Sequence, residues 1–379
     1  MFIKVLVFYF FMTKDHLRGY GKLRGIHIVA ENLAEATHKA ILACHDYGVR
    51  VETPKHMEGN SLGYDGDIMI TVLNPLSEPR IYFPGIQDTG VGVMQYILEV
   101  THGIHNHWKK TKKEPHFWGY TYNERFVDQL SFIFQRIKAD FDGKGRISGR
   151  DYQFTIWRPG EDIILEQEDP PCWQRGHLRF LQDENGESVL NYITDWRSRD
   201  LLKAWNENNI GQIELMKLFG LKISDMLGIP INLGSYIDRS SSLHLYGLYI
   251  DKDNLEKQIE QMGEQGYETR SMGLDDFYER ATGKDSTGLK RLIAAQSDAE
   301  ARGYGKQQSE ERLRNLGYDV DNFPYPNDWD SWPDSWNAEP DVSKLARVVN
   351  FEYSTSGIVY PIGCGQEQLL LNWHGVLNS

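Results

Sequence analysis

Cysteine is scarce in this chain: three among 379 residues, Cys44, Cys172 and Cys364, odd in number and widely spaced. That excludes a disulfide framework and a CxxC metal signature and fits a reducing compartment, so the expected location is the cytoplasm, the host cytoplasm if the source is viral. Positive charge is also short, with 41 Lys and Arg against 54 Asp and Glu and a formal net charge of -13. Neutralising a nucleic-acid backbone takes clustered cations in excess, so no direct nucleic-acid binding is expected. A small anion needs only a few local arginines and stays open as a substrate. No apolar run reaches the ~20 residues of a bilayer-spanning helix, so no membrane role is expected. MFIKVLVFYFFM at the start is followed by polar TKDHLRGYG and no small-residue cleavage site, which argues for an edge strand, or ~12 dispensable residues, over a signal peptide. No internal repeat is present.

What is present is ordinary globular composition, 40% hydrophobic and 25% charged, on a chain long enough to bury a sizeable core. IHIVAENLAEATHKAILACHDYG reads as a strand, a capped helix and a glycine stop, and DIMITVLNPL as a second strand. VMQYILEVTHG and VDQLSFIFQRIKADFDGKGR have helical spacing ended by glycine. RDYQFTIWRP, HLRFL and VLNYITDW read as strands, with DENGE as the hairpin turn between the last two. A long helical stretch, LLKAWNENNIGQIELMKLFGLKISDMLGI, precedes the strand-like INLGSYIDRSSSLHLYGLYI. Helices mixed with predominantly antiparallel strands predict an α+β fold with a large sheet and one long core helix. NFPYPNDWDSWPDSWNAEPD, acidic, aromatic and proline-rich, reads as a surface loop or linker.

Chemistry concentrates in DPPCWQRGHLRF. Pro170 and Pro171 impose an extended backbone and deny a helix, so Cys172 is expected at the rigid entrance of a strand. A lone cysteine is by base rate a small buried apolar group; the other reading is a held nucleophile. WRSRD comes next, where Arg197 can lower a thiol pKa or grip an anion and Ser198 and Asp200 add polar partners. In SSSLHLYGLYI, His244 and Tyr246 stand two apart, hence on one face of a strand.

In this order the segments resemble the thymidylate synthase and pyrimidine nucleotide hydroxymethylase family, which carries a proline-cysteine nucleophile, a hairpin, arginine-serine-x-aspartate, an asparagine and histidine-x-tyrosine. The resemblance covers roughly residues 90 to 250. KAWNEN supplies Asn208 at the spacing the family keeps after the aspartate. GIPINLGSY, with Asn232, looks closer in composition but leaves too few positions before His244. Upstream, YILEVTHG offers Glu99 for the family's catalytic glutamate, and GYTYNERF offers Tyr122 for its active-site tyrosine.

The resemblance implies a thymidylate synthase-like large mixed sheet, one catalytic domain over residues 1–320, and residues 321–379 as an acidic, aromatic loop and tail packed on it. It further implies a cysteine adduct at C6 of a pyrimidine deoxynucleotide, with 5,10-methylenetetrahydrofolate as co-substrate. By the same resemblance Cys172, Glu99, Tyr122 and Asn208 are catalytic. Arg197, Ser198, Arg150, His244 and Tyr246 bind the nucleotide, with Arg150 reaching it from the second subunit of a homodimer, and Asp200 and Trp108 bind the folate. A carboxamide at Asn208 can accept from uracil N3-H and donate to O4, which favours dUMP over dCMP. The expected product is 5-hydroxymethyl-dUMP, with thymidylate, a dCMP hydroxymethylase or a non-catalytic nucleotide-binding homologue as alternatives. The chain departs from the family in Trp173, where synthases carry histidine after the nucleophile, in GRD at the paired arginines, and in lacking an arginine-threonine-glycine loop, for which Arg18 or Arg24 would substitute; DTGVG has no arginine. Trp118 is a second candidate beside Trp108 for an aromatic wall.

Overall fold

The computed structural model describes residues 22–52, 61–86, 88–108, 119–164, 169–305, 309–324 and 330–345. Arg18, Trp118, Cys364 and the apolar start of the chain lie outside these residues. In chain order the strands are β1 (Gly25–Ala30), β2 (Val49–Val51), β3 (Gly63–Val72), β4 (Ile81–Tyr82), β5 (Gln153–Thr155), β6 (Trp173–Gln182), β7 (Ser188–Trp196), β8 (Arg199–Asp200), β9 (Ile231–Leu245) and β10 (Ser271–Met272). The helices that carry or support the candidate residues are α1 (Leu33–Tyr47), α2 (Gly90–His102), α3 (Tyr122–Lys144), α4 (Trp205–Leu227) and α5 (Ser286–Ala301). Among the described residues one sheet of eight strands runs β1-β3-β9-β7-β6-β5, with β2 on β3 and β8 on β9. Helices and a large mixed sheet make the chain an α+β protein, and α3 and α4, 23 residues each, are its longest described helices.

The chain divides into two compact units. The first comprises residues 1–87, 196–209 and 237–274. There β1 pairs in parallel with β3, Gly25 opposite Asp67 through Ala30 opposite Val72, and β8 pairs in parallel with β9. Parallel pairs therefore join the expected antiparallel ones. Alternation on β3 puts Ile68, Ile70 and Val72 at 0% exposure, worth roughly 1.5–3 kcal/mol each against leaving them in water. Helix α1 packs on β1 and β3 through Ala40, Ile41 and Cys44. It starts where Asn32 accepts from the Glu35 N–H at 2.9 Å, while Glu35 reaches back to the Glu31 N–H at 2.7 Å. Removing that cap with Asn32→Ala is expected to cost about 1 kcal/mol, read as a lower urea midpoint with an unchanged slope.

The second unit comprises residues 88–195, 210–236 and 275–379. Its edge strand β5 is covered by Gln129 of α3, which donates to Thr155 O at 2.6 Å and accepts from Thr155 N–H at 3.0 Å, replacing a neighbouring strand. Phe219 of α4 lies against Phe154, Tyr192 and Trp336, the last stacked at 5.1 Å and 2% exposed. The acidic segment read as a surface loop thus contributes a buried indole: proline and acid mark its exposed residues, while Trp336 fills the space beside Phe134 and Phe219.

One local reading needs correction. β9 ends at Leu245, and GLYI opens a helix, Gly247–Asp253, because Tyr246 is its N-cap and Gly63 crowds the strand end, leaving 2.5 Å between a Cβ there and Leu245 O. Beyond that helix the chain, charged and punctuated by glycine, is again helical over Leu255–Glu264, Leu274–Thr282 and α5.

Candidate active site

Cys172 stands on a bend directly before β6, half-buried and outside any disulfide, as the two prolines predict. Gln174 Nε2 donates to Pro171 O at 2.9 Å and ties the bend back on itself. Trp173 is fully buried against Tyr122, Phe126 and Phe154, with Tyr122 meeting it edge-on at 5.6 Å. Tyr122 is the first residue of α3, fixed there by Thr121, whose side chain accepts from Glu124 N–H. The structure therefore brings Tyr122 to the residue beside Cys172.

Glu99 lies near the end of α2 with its side chain one-third exposed. Its Oε1 meets His105 Nδ1. The His105 ring, buried, stacks on Trp108 with centroids 3.5 Å apart and planes 8° from parallel, and Trp108 Nε1 donates to Glu300 at 2.9 Å. Sequence reading named Glu99 and Trp108 and missed His105 between them. Gly103 creates the arrangement: at φ +67 it ends α2, and a Cβ there would sit 2.4 Å from Asn106 Nδ2 and Asn123 Oδ1.

Arg150 is exposed after α3, beside a depression of about 220 Å³ that Arg146 and Arg179 also line. The loop carrying it is held by Asp140, which accepts from Lys144, Tyr152 OH at 2.7 Å, Ser148 N–H at 2.6 Å and Gly149 N–H at 2.9 Å. The Lys144 ammonium, then the Tyr152 hydroxyl, holds the Asp140 carboxyl well below the usual carboxylate range. A depressed acid stabilises fully above its unfolded pKa, so this support is complete at neutral pH and is lost only as pH falls.

The remaining candidates lie in the first unit. In the β8–β9 register Asp200 stands opposite His244. The His244 and Tyr246 rings are 4.5 Å apart, edge to face. His244 Nδ1 lies 3.3 Å from Ser242 Oγ, which donates to Asp65 at 2.9 Å, and among the described residues His244 Nε2 is buried without a partner. Burial raises Asp65 above its ordinary pKa, and Ser242 opposes the rise. Asp200 Oδ1 accepts from Leu202 and Lys203 N–H at 2.9 and 3.1 Å, and Oδ2 accepts from Tyr249 OH. Burial, then the Asp200 charge, pushes the Tyr249 phenol up, so it remains a donor.

Arg197 and Ser198 occupy the half-buried turn before β8. Arg199, unnamed in the sequence reading, is the deeply buried arginine of this stretch at 3% exposure, bonded to Asp238, to Ser240 Oγ at 3.0 Å and to Asn209 Oδ1 at 3.2 Å. Asn208, one residue before, is half-buried on α4. Arg24 is described and lies just ahead of β1. Cys44, by contrast with Cys172, is fully buried in α1, and burial pushes its thiol up. Among the described residues no group of His, Cys, Asp and Glu is placed to hold a metal ion, and no helix is long and apolar enough to cross a membrane.

No protein-family profile matches the chain, and no curated protein matches its sequence. Among solved structures it is similar to the thermostable thymidylate synthase A from Bacillus subtilis, at 17% identity over 60% of this chain and 84% of that one, with a TM-score of 0.39. A likeness at that level decides neither family nor activity.

Proposed function

We propose that this chain is a one-carbon transferase that adds a hydroxymethyl group to C5 of dUMP through a covalent adduct of Cys172 with C6. The observation that supports this most is the ordered set PPC, WRSRD, Asn208 and HLY, together with the β8–β9 register that makes neighbours of Asp200 and His244, far apart in sequence. Uracil C5 is a poor nucleophile until a thiolate adds at C6 and shifts the C5–C6 electron pair toward O4. Cys172 supplies the thiolate from a held backbone, and its departure restores the double bond once the C5 proton has left. Glu99 orders the water that carries that proton. Asn208 reads N3-H and O4, and His244 with Tyr246 meets the sugar hydroxyl. Arg197 and Ser198 hold the phosphate, and Arg150 joins them from a second copy in a homodimer.

5,10-Methylenetetrahydrofolate supplies the one-carbon unit when bound. The residues suit it in chemistry: Trp108 offers an aromatic ring, and Asp200 keeps one acceptor position beyond its three internal bonds for a pterin N–H. Water would finish the reaction: once the folate amine has left the methylene carbon now carried on C5, hydroxide adds to that carbon as the Cys172 thiolate leaves C6 and the C5–C6 double bond returns. Trp108, fixed by His105 and Glu300, also favours a second reading, in which an aromatic wall keeps water out and the product is thymidylate.

Mass spectrometry of the nucleotide after incubation with dUMP and methylenetetrahydrofolate, beside dCMP, tests the proposal. A gain of about 30 Da on dUMP is expected for hydroxymethyl transfer; about 14 Da would make the chain a synthase. Tight nucleotide binding without any mass change would sink the transferase and leave a binding homologue.

A further inference from the structure

We infer that His105 is a positioning residue for Glu99, fixing which carboxylate oxygen orders the transferring water; the inference rests on the proposed transferase activity. A carboxylate only accepts hydrogen bonds, so contact between Glu99 Oε1 and His105 Nδ1 requires a proton on Nδ1. That takes one acceptor position of Oε1 and leaves Oε2 as the less engaged oxygen for holding a water. Without the imidazole the two oxygens are equivalent and the side chain turns among its rotamers.

The ring is held in place by described neighbours on both sides of its segment. Trp108 stacks on it and donates its backbone N–H to His105 O at 2.8 Å. Ile104 O accepts from Ser297 Oγ of α5 at 3.2 Å. Asn106 accepts from Thr121 Oγ1 at 2.5 Å and donates to Asn123 Oδ1 at 2.9 Å, which ties the segment to α3. Glu300 approaches from α5 through Trp108 Nε1 at 2.9 Å and His107 Nε2 at 3.9 Å. A purely architectural histidine would not need its protonated nitrogen aimed at a one-third exposed acid. This one orients that acid from behind, in the way outer partners orient metal-ligating or catalytic groups.

Two substitutions in the full chain separate orientation from packing. His105→Phe keeps the stack on Trp108 and removes the donor; His105→Gln keeps an N–H donor. With dUMP and methylenetetrahydrofolate, His105→Phe is expected to lower kcat by about 10- to 100-fold with KM for dUMP within about 2-fold, and His105→Gln to recover most of the loss. A His105→Phe enzyme at full kcat, or a Gln variant as slow as Phe, overturns the inference. Nitrogen-15 spectra of the unsubstituted protein give an answer even if a variant does not fold: a proton-bearing His105 Nδ1 supports the inference and a bare one overturns it. If the unsubstituted chain transfers nothing to dUMP or dCMP, the transferase reading falls and takes this role with it, while the same spectra still decide the contact.

Discussion

On the proposed chemistry, Cys172→Ala is expected to lower the transfer rate by at least about 10³-fold while nucleotide affinity stays within about 3-fold. The separation arises from what the thiolate does. On the proposed chemistry it makes the C5 nucleophile and contributes little to ground-state binding, which that reading assigns to the arginines and to Asn208, His244 and Tyr246. Mass analysis of the denatured protein after incubation with dUMP and the folate should find nucleotide on the peptide containing Cys172, and none in the alanine variant. Cys44→Ala is the internal contrast: that thiol is fully buried in α1, so its loss should leave turnover intact. Turnover surviving in Cys172→Ala would refute covalent catalysis at this position.

Asp238→Ala is expected to destabilise the fold by about 3–5 kcal/mol, because it strands the Arg199 charge in the interior. The two side chains are 2% and 0% exposed, Trp205 Nε1 donates to Asp238 Oδ2 at 2.9 Å, and the guanidinium lies 4.0 Å from the centre of the Trp196 ring. Water cannot replace the lost carboxylate in such a place. Substituting both partners, Arg199→Met with Asp238→Leu, should regain most of the loss, since a buried pair returns little beyond its own desolvation cost. Chemical denaturation checks both variants; a loss below about 1 kcal/mol in Asp238→Ala would mean the arginine reaches solvent.

Much of this was legible in the chain because it depends on neighbours in sequence. Two prolines before Cys172 dictate its extended approach, Asn32 and Gly48 bracket α1, and the alternation in SSSLHLY puts His244 beside Tyr246. What was not legible depends on distant partners. WRSRD contains two arginines two apart, and only Asp238 and Ser240 on β9 decide that Arg199 is the buried one. His105 comes after the glycine that ends α2, where helical periodicity says nothing about which side chain folds back on the preceding turn. The helices after Asp253 did leave a signal: Leu255, Ile259 and Met262 fall on one face, but the charge between them hid it.

The grip of Asp140 on the loop before Arg150 also sets what an affinity measurement can report. Arginine keeps its charge across the accessible range, and the tether stays ionised far into acid, so Arg150 and Asp140 both hold their charge between pH 5 and 8. A phosphate monoester does change there, gaining its second negative charge near a pKa of about 6. If Arg150 meets the nucleotide, the change of charge across that contact belongs to the ligand, and the Arg150 guanidinium acts as a fixed electrode.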